Sequence, residues 1–185
     1  MKLLTIEKLL EFLNTEFKDV DPEMVDDLLL KGNDADEKNV NSLMDELEIE
    51  KLPKDFVDLI CKYDFGNFSI QNVQFGYEDN YFEKLEELNS KDQYWYNDIK
   101  KRNLIVIGLG DPFTALLSPD NGAVYGVSPE ISFGTEIKIA DSFTHFIRGL
   151  GSAFYAKRNN VRNEFLEFAE EEFGAAGLQF WKYAI

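Results

Sequence analysis

The sequence predicts an α+β fold, a mainly antiparallel sheet with helices packed around it. Three observations lead there. Apolar residues recur at helical spacing through the first third of the chain and again near its end, whereas the middle carries short alternating segments. Those segments are separated by turn residues, which is the order of a meander and not of βαβ alternation. Of the 185 residues, 44% are apolar, with 16 Phe and 8 Tyr, enough for a chain of this length to close a core without disulfides or metals.

Leu3, Ile6, Leu9, Leu10, Leu13 and Phe17 alternate with Glu7, Lys8, Glu11 and Asn14 to give one amphipathic helix. Asp21-Pro22-Glu23 supplies a cap, a first-turn proline and a first-turn acid, opening a short helix that runs to Leu30 and ends at Gly32. Asn33 to Lys38 reads as a polar loop. A third helix spans residues 40–47 with Leu43, Met44 and Leu47 inward. Pro53 starts a fourth, whose apolar face is Phe56, Leu59, Ile60 and Tyr63. After the turn Asp64-Phe65-Gly66-Asn67 the period changes, and Phe68, Ile70, Val73, Phe75 and Tyr77 read as one or two strands.

Residues 79–102 return to helical spacing through Tyr81, Phe82, Leu85, Leu88 and Ile99. Strands follow at 104–107, 114–117, 123–127 and 136–139. Pro119-Asp120-Asn121-Gly122 marks a hairpin, since Asn-Gly tolerates the positive φ of a type I′ turn. Asp141 or Ser142 caps a helix to Leu150. Residues 163–173 form another, with Phe165, Leu166, Phe168, Ala169 and Phe173 facing the core, and the tail 177–185 is aromatic enough to dock.

The chain carries 35 acidic and 19 basic side chains, a formal net charge of −16. Their placement is lopsided: residues 1–98 hold 25 acidic and 10 basic groups, residues 99–185 hold 10 and 9. That field repels phosphates and no basic patch offsets it, so nucleic acid is not an expected partner. An acidic surface keeps a protein soluble, and it also steers encounter with a basic protein. The single cysteine, Cys61, excludes an internal disulfide framework and the usual structural zinc sites. No apolar run approaches the ~18 residues of a membrane span, and Glu7 interrupts the N-terminus before a signal-peptide core could form. The expected setting is cytoplasmic, without membrane association.

No group of residues assembles an active site. Gly108-Leu109-Gly110 follows a strand, but a dinucleotide fingerprint needs a third glycine and a helix, and here Asp111-Pro112 and another strand follow. A tight turn is the ordinary reading. His145, the only histidine, is near Asp141 and Ser142, yet Ser142 reads as a helix cap rather than a nucleophile. Cys61 sits beside Ile60 on a core-forming helix, as an inert thiol would. Asp34-Ala35-Asp36 with Asp45 does not match a calcium loop, because Lys38 and Asn39 stand where a ligand and a glycine are required. Glu167, Glu170, Glu171 and Glu172 flank an apolar helix face without histidine and read as solvated. Tyr94-Trp95-Tyr96 suits a binding hot spot and core packing equally. Catalysis, a metal and a cofactor are all unexpected.

Three stretches, taken in order, resemble the SUKH superfamily of bacterial immunity proteins. Leu47-Glu48-Ile49-Glu50-Lys51-Leu52-Pro53-Lys54-Asp55-Phe56-Val57-Asp58-Leu59-Ile60 is similar to that family's helix-entry motif, in which Leu-Pro precedes an aromatic and an apolar helix. Ile107-Gly108-Leu109-Gly110-Asp111-Pro112-Phe113, with Leu116-Leu117 and Gly122-Ala123-Val124-Tyr125, resembles its central hairpin. Ile139-Ala140-Asp141-Ser142-Phe143-Thr144-His145-Phe146-Ile147 is like its closing helix. The family's usual Asn-Gly-Gly is replaced here by Asp64-Phe65-Gly66-Asn67. The resemblance implies a SUKH-like core over residues 47–150, an N-terminal helical extension at 1–46 and a C-terminal extension packed on the core at 151–185. It also implies a protein without catalytic role that neutralises a cognate toxin, often a nuclease or another polymorphic effector, by direct binding.

Joined to the charge distribution, this gives the expectation of an immunity protein that occludes a basic toxin. Asp26, Asp27, Asp34, Asp36, Glu37, Asp45 and Glu46 would supply the complementary charge, and Tyr94, Trp95 and Tyr96 the apolar anchor. The alternative is a regulatory scaffold that binds cellular proteins without blocking an enzyme.

Overall fold

The computed structural model describes residues 1–76 and 80–185. Helix α1 (Ile6–Glu16) is capped by Thr5, whose hydroxyl accepts from the Lys8 N–H. Residues 21–30 do not form the expected α-helix; two 3-10 turns, Pro22–Met24 and Asp26–Leu28, take its place. Val25 and Leu30 are both buried there, although on one α-helix they would point well apart, and the tighter turns let both reach the core. Gly32, expected to stop that helix, lies instead in β1 (Lys31–Gly32), paired antiparallel with β2 (Tyr63–Asp64). Helix α2 (Glu37–Glu46) begins before residue 40 because Asp36 and Asn39 form a reciprocal capping box. Helix α3 (Lys54–Lys62) starts after Pro53, as expected.

Six strands then form an antiparallel meander in chain order: β3 (Ser69–Ile70), β4 (Val73–Gln74), β5 (Ile105–Gly110), β6 (Thr114–Leu117), β7 (Val124–Val127) and β8 (Ile137–Ala140). Helices α4 (Tyr81–Leu88) and α5 (Tyr96–Lys101) are inserted between β4 and β5. Tyr77, assigned above to a strand, and residue 79, the assigned start of a helix, lie outside the described residues. The β6–β7 hairpin forms where Asn-Gly marks it, but not as a type I′ turn. Only Gly122 takes a positive φ, 76°, and the loop closes through Gly122 N–H to Ser118 O and Ser118 N–H to Ala123 O. The Asn121 side chain accepts from Ala123 N–H at 2.9 Å, a local turn that fixes its conformation.

The last two helices exceed their expected lengths. Helix α6 (Phe143–Arg158) continues past Leu150, and α7 (Arg162–Tyr183) takes in the aromatic tail across a break at Gly174, φ 80° and ψ 158°. The glycines of α6 are packing residues and do not stop it. A Cβ on Gly149 would lie 2.3 Å from the Trp181 ring, and one on Gly151 2.7 Å from Leu9.

Alternation along the strands divides the sheet into two faces. Ile105, Ile107, Ala115, Leu117, Val124 and Ile139 face the main core, which draws residues from Ile6 to Ala184 and so joins segments 1–46, 47–150 and 151–185. Leu104, Val106, Leu116 and Val127 face the other way, into a small cluster with Leu88 and Ile99. Half-buried Trp95, Leu109, Tyr125 and Phe133 pack against that second cluster. Where β4 ends, β5 would expose an unpaired edge. Instead the buried Asn89 amide donates to Val106 O at 2.9 Å and its carbonyl accepts from Val106 N–H at 2.8 Å, while the Tyr81 hydroxyl donates to Ile107 O. Two side chains thus cap the edge.

Candidate protein-binding surface

The acidic residues singled out from the sequence fall in three places. Asp26 is committed locally: its carboxylate accepts from Lys31 Nζ at 2.5 Å and from the Asn67 amide at 3.0 Å. The hydrogen bond from Lys31 leads in holding that carboxyl below its ordinary pKa. Asp27 beside it is exposed.

Asp34, Asp36 and Glu37 gather at the start of α2. Asp36 Oδ1 accepts from the N–H groups of Lys38 and Asn39 at 2.9 and 3.2 Å, so it is a structural cap, and acids at a helix N-terminus are where the dipole favours them. Fold stability accounts for this group.

Asp45 and Glu46 stand at the other end of α2, exposed and without an ion-pair partner among the described residues. That end of a helix favours cations, and α2 has none in its last turn. Glu48 just beyond is bridged by Lys91 at 3.4 Å and Lys100 at 3.3 Å, and Lys100 also donates to Leu47 O at 2.6 Å. Nearby on α4, Glu86 has its carboxyl pushed above the ordinary range by burial first, then by the charges of Glu46 and Glu83. Stability does not ask for negative charge here.

The two lysine bridges tie this end of α2 to the 91–100 segment that carries the aromatic triplet. Tyr94 is 87% exposed. Trp95 is half buried, its indole N–H donating to Leu88 O at 2.8 Å, and the two rings meet edge to face at 4.7 Å. Tyr96, half buried, opens α5 with the Lys100 ammonium 6.0 Å from its ring. The triplet therefore divides: Trp95 packs, Tyr94 faces outward.

Beside Tyr94 and Trp95 runs a groove of about 440 Å³, completed by Gly110, Asp111, Pro112, Thr114 and the 127–133 loop. It borders the second face of the sheet, sharing Val127, Trp95 and Phe133 with the small cluster there. Sequence reading missed these partners, because strand alternation shows that a residue faces outward and not whether a helix covers it. The nearest signal was Ser128-Pro129, a turn dipeptide directly after the strand that ends at Val127.

The residues weighed for catalysis are engaged elsewhere. Ser142 Oγ accepts from His145 N–H at 3.2 Å, capping α6 as expected. The His145 ring accepts from Asp141 N–H at 3.3 Å and meets Glu172 Oε1 at 3.1 Å, stacked on Phe173. Glu172 is exposed, as expected of a solvated helix face, but it meets a histidine from α6 that the sequence did not place there. Burial, then the charges of Asp58 and Asp36, push the Cys61 thiol up, which disfavours the thiolate. Among the described residues no three His, Cys, Asp or Glu side chains converge to hold a metal ion, and no helix is long and apolar enough to cross a membrane.

No protein-family model matches this chain, and no curated protein matches it.

Proposed function

We propose that this chain is an immunity protein that neutralises a cognate bacterial toxin by direct binding and occlusion, without catalysis of its own. The observation that carries the reading is the end of α2. Asp45 and Glu46 stand unpaired where the helix dipole disfavours them, and lysine bridges join that end to the segment bearing an exposed tyrosine. Charge kept against the interest of stability, beside an aromatic side chain in solvent, suits a contact surface for a basic partner. The net charge of −16 adds long-range steering towards such a partner. A nuclease fits this description, since a site that grips phosphates is itself basic and an acidic surface can cover it.

The test is protection. Expressing the toxin encoded beside this chain's gene should arrest growth, and co-expressing the chain should restore it. Asp45→Lys with Glu46→Lys should weaken the rescue while leaving the chain folded. Failure of the unaltered chain to rescue, with toxin and chain both expressed, would contradict the proposal. Capture of host proteins without any protection would favour a regulatory scaffold.

A further inference from the structure

We infer that the trough at the end of the sheet binds an extended peptide segment of a protein partner, with an apolar side chain against Trp95 and Phe133 and a neighbouring lysine or arginine on Asp111. This deepens the proposed function, and rests on it, by giving the chemistry of the segment that the partner presents.

The trough is longer than the aromatic groove alone. A second groove of similar volume, about 440 Å³, runs beside β3 and β4 and is lined by Ser69, Asn72 and Gln74. Gly110 and Asp111 line both, so the two adjoin at the turn after β5. One end is apolar, with Trp95, Pro112, Val127, Ile131 and Phe133; the other mixes Ser69, Gln71, Asn72 and Gln74 with Val73 and Leu109. Between them stands Asp111, the one charged residue among the described residues that line either groove. It is exposed, and its carboxylate has no ion-pair partner among the described residues. Its main chain is held, because the Asn72 amide donates to Asp111 O at 2.9 Å.

Charge complementarity selects the occupant. A phosphate-bearing ligand would meet Asp111 with like charge inside a field of net charge −16, and a second copy of this chain would bring the same sign. An extended segment fits the shape, since successive side chains can reach the apolar end and the carboxylate in turn. Tyr94, 87% exposed at the rim, can fold over a bound side chain at small entropic cost, having few rotatable bonds.

The intact chain, immobilised, should enrich sequences with Lys or Arg next to an aliphatic or aromatic residue from a phage-displayed library of short random peptides. The best of them, made synthetically, should shift the fluorescence of Trp95. Asp111→Asn should weaken its binding about tenfold, the scale of one charge-assisted hydrogen bond, and Tyr94→Ala should weaken it as well. Both side chains are exposed, so an unchanged unfolding midpoint certifies the fold of each variant. No enrichment, enrichment of peptides without a basic residue, or binding indifferent to both substitutions would overturn the inference. Peptides that depend on Asp45 and Glu46 but not on Asp111 would overturn the trough alone and leave the toxin-binding reading standing. A functional trough in a chain that gives no protection from the toxin would do the reverse.

Discussion

Asn89 closes the edge of β5 with one side chain, giving Val106 both the donor and the acceptor that a further strand would have supplied. Removing it leaves two buried main-chain groups unpaired, each costing about 1–3 kcal/mol. Asn89→Leu should therefore lower the stability measured by urea unfolding by about 2–4 kcal/mol; a change under about 0.5 kcal/mol, the range of an ordinary surface substitution, would contradict this account of the edge. Gly149 makes the same point about packing. Its missing Cβ leaves room for the rings of Trp181 and Phe173, so Gly149→Ala should cost about 1–3 kcal/mol as an overpacked core does. Neither role could be read from the sequence. Asn89 lay unremarked within the helical reading of residues 79–102, and the helix expected to end at Leu150 passes through Gly149 and Gly151, because a residue's spacing reveals nothing of the ring that will lie against it.

Elements were more legible than residues, and the limits are instructive. Strand β6 lies at the residues that alternation marked, and α1 and α3 at those their apolar period marked. The periods failed where a tertiary contact decided the outcome. The β1–β2 ribbon needs its partner thirty residues away, and α7 needs Gly174 to redirect the tail so that Phe180 and Trp181 reach the core. Gly174 has open space around its missing Cβ, so Gly174→Ala tests conformation alone. Its φ and ψ are nearly confined to glycine, and the substitution should cost about 1–3 kcal/mol. Between α2 and α4 the effect has the opposite sign. The folded state raises the carboxyl pKa of Glu86, so the folded chain holds that proton more tightly than the unfolded chain does. Stability is thus lost as pH rises through the ordinary carboxylate range towards the raised value. Glu86→Gln should raise the thermal midpoint at neutral pH, and the gain should vanish at a pH low enough to protonate the native carboxyl in both states.

At the scale of the whole molecule, composition announced an acidic surface, and the fold sorts that surface into parts. Asp26 and Asp36 are spent on local structure; Asp45 and Glu46 are left for solvent. The trough around Asp111 was not legible, because its walls come from residues 94–95, 110–114 and 127–133, which only the meander and the α4–α5 insertion bring together. Stability and function therefore oppose each other at the end of α2. Asp45→Lys should stabilise the isolated chain by about 0.3–1 kcal/mol, since a cation suits that helix end, and yet slow its association with the partner.

The most direct measurement is the association rate of purified chain and toxin, followed by stopped flow across a series of salt concentrations. A chain that works by electrostatic steering onto a basic surface should show a rate that falls steeply between low and physiological salt, with dissociation little changed. A rate that stays level across that range would contradict the central claim.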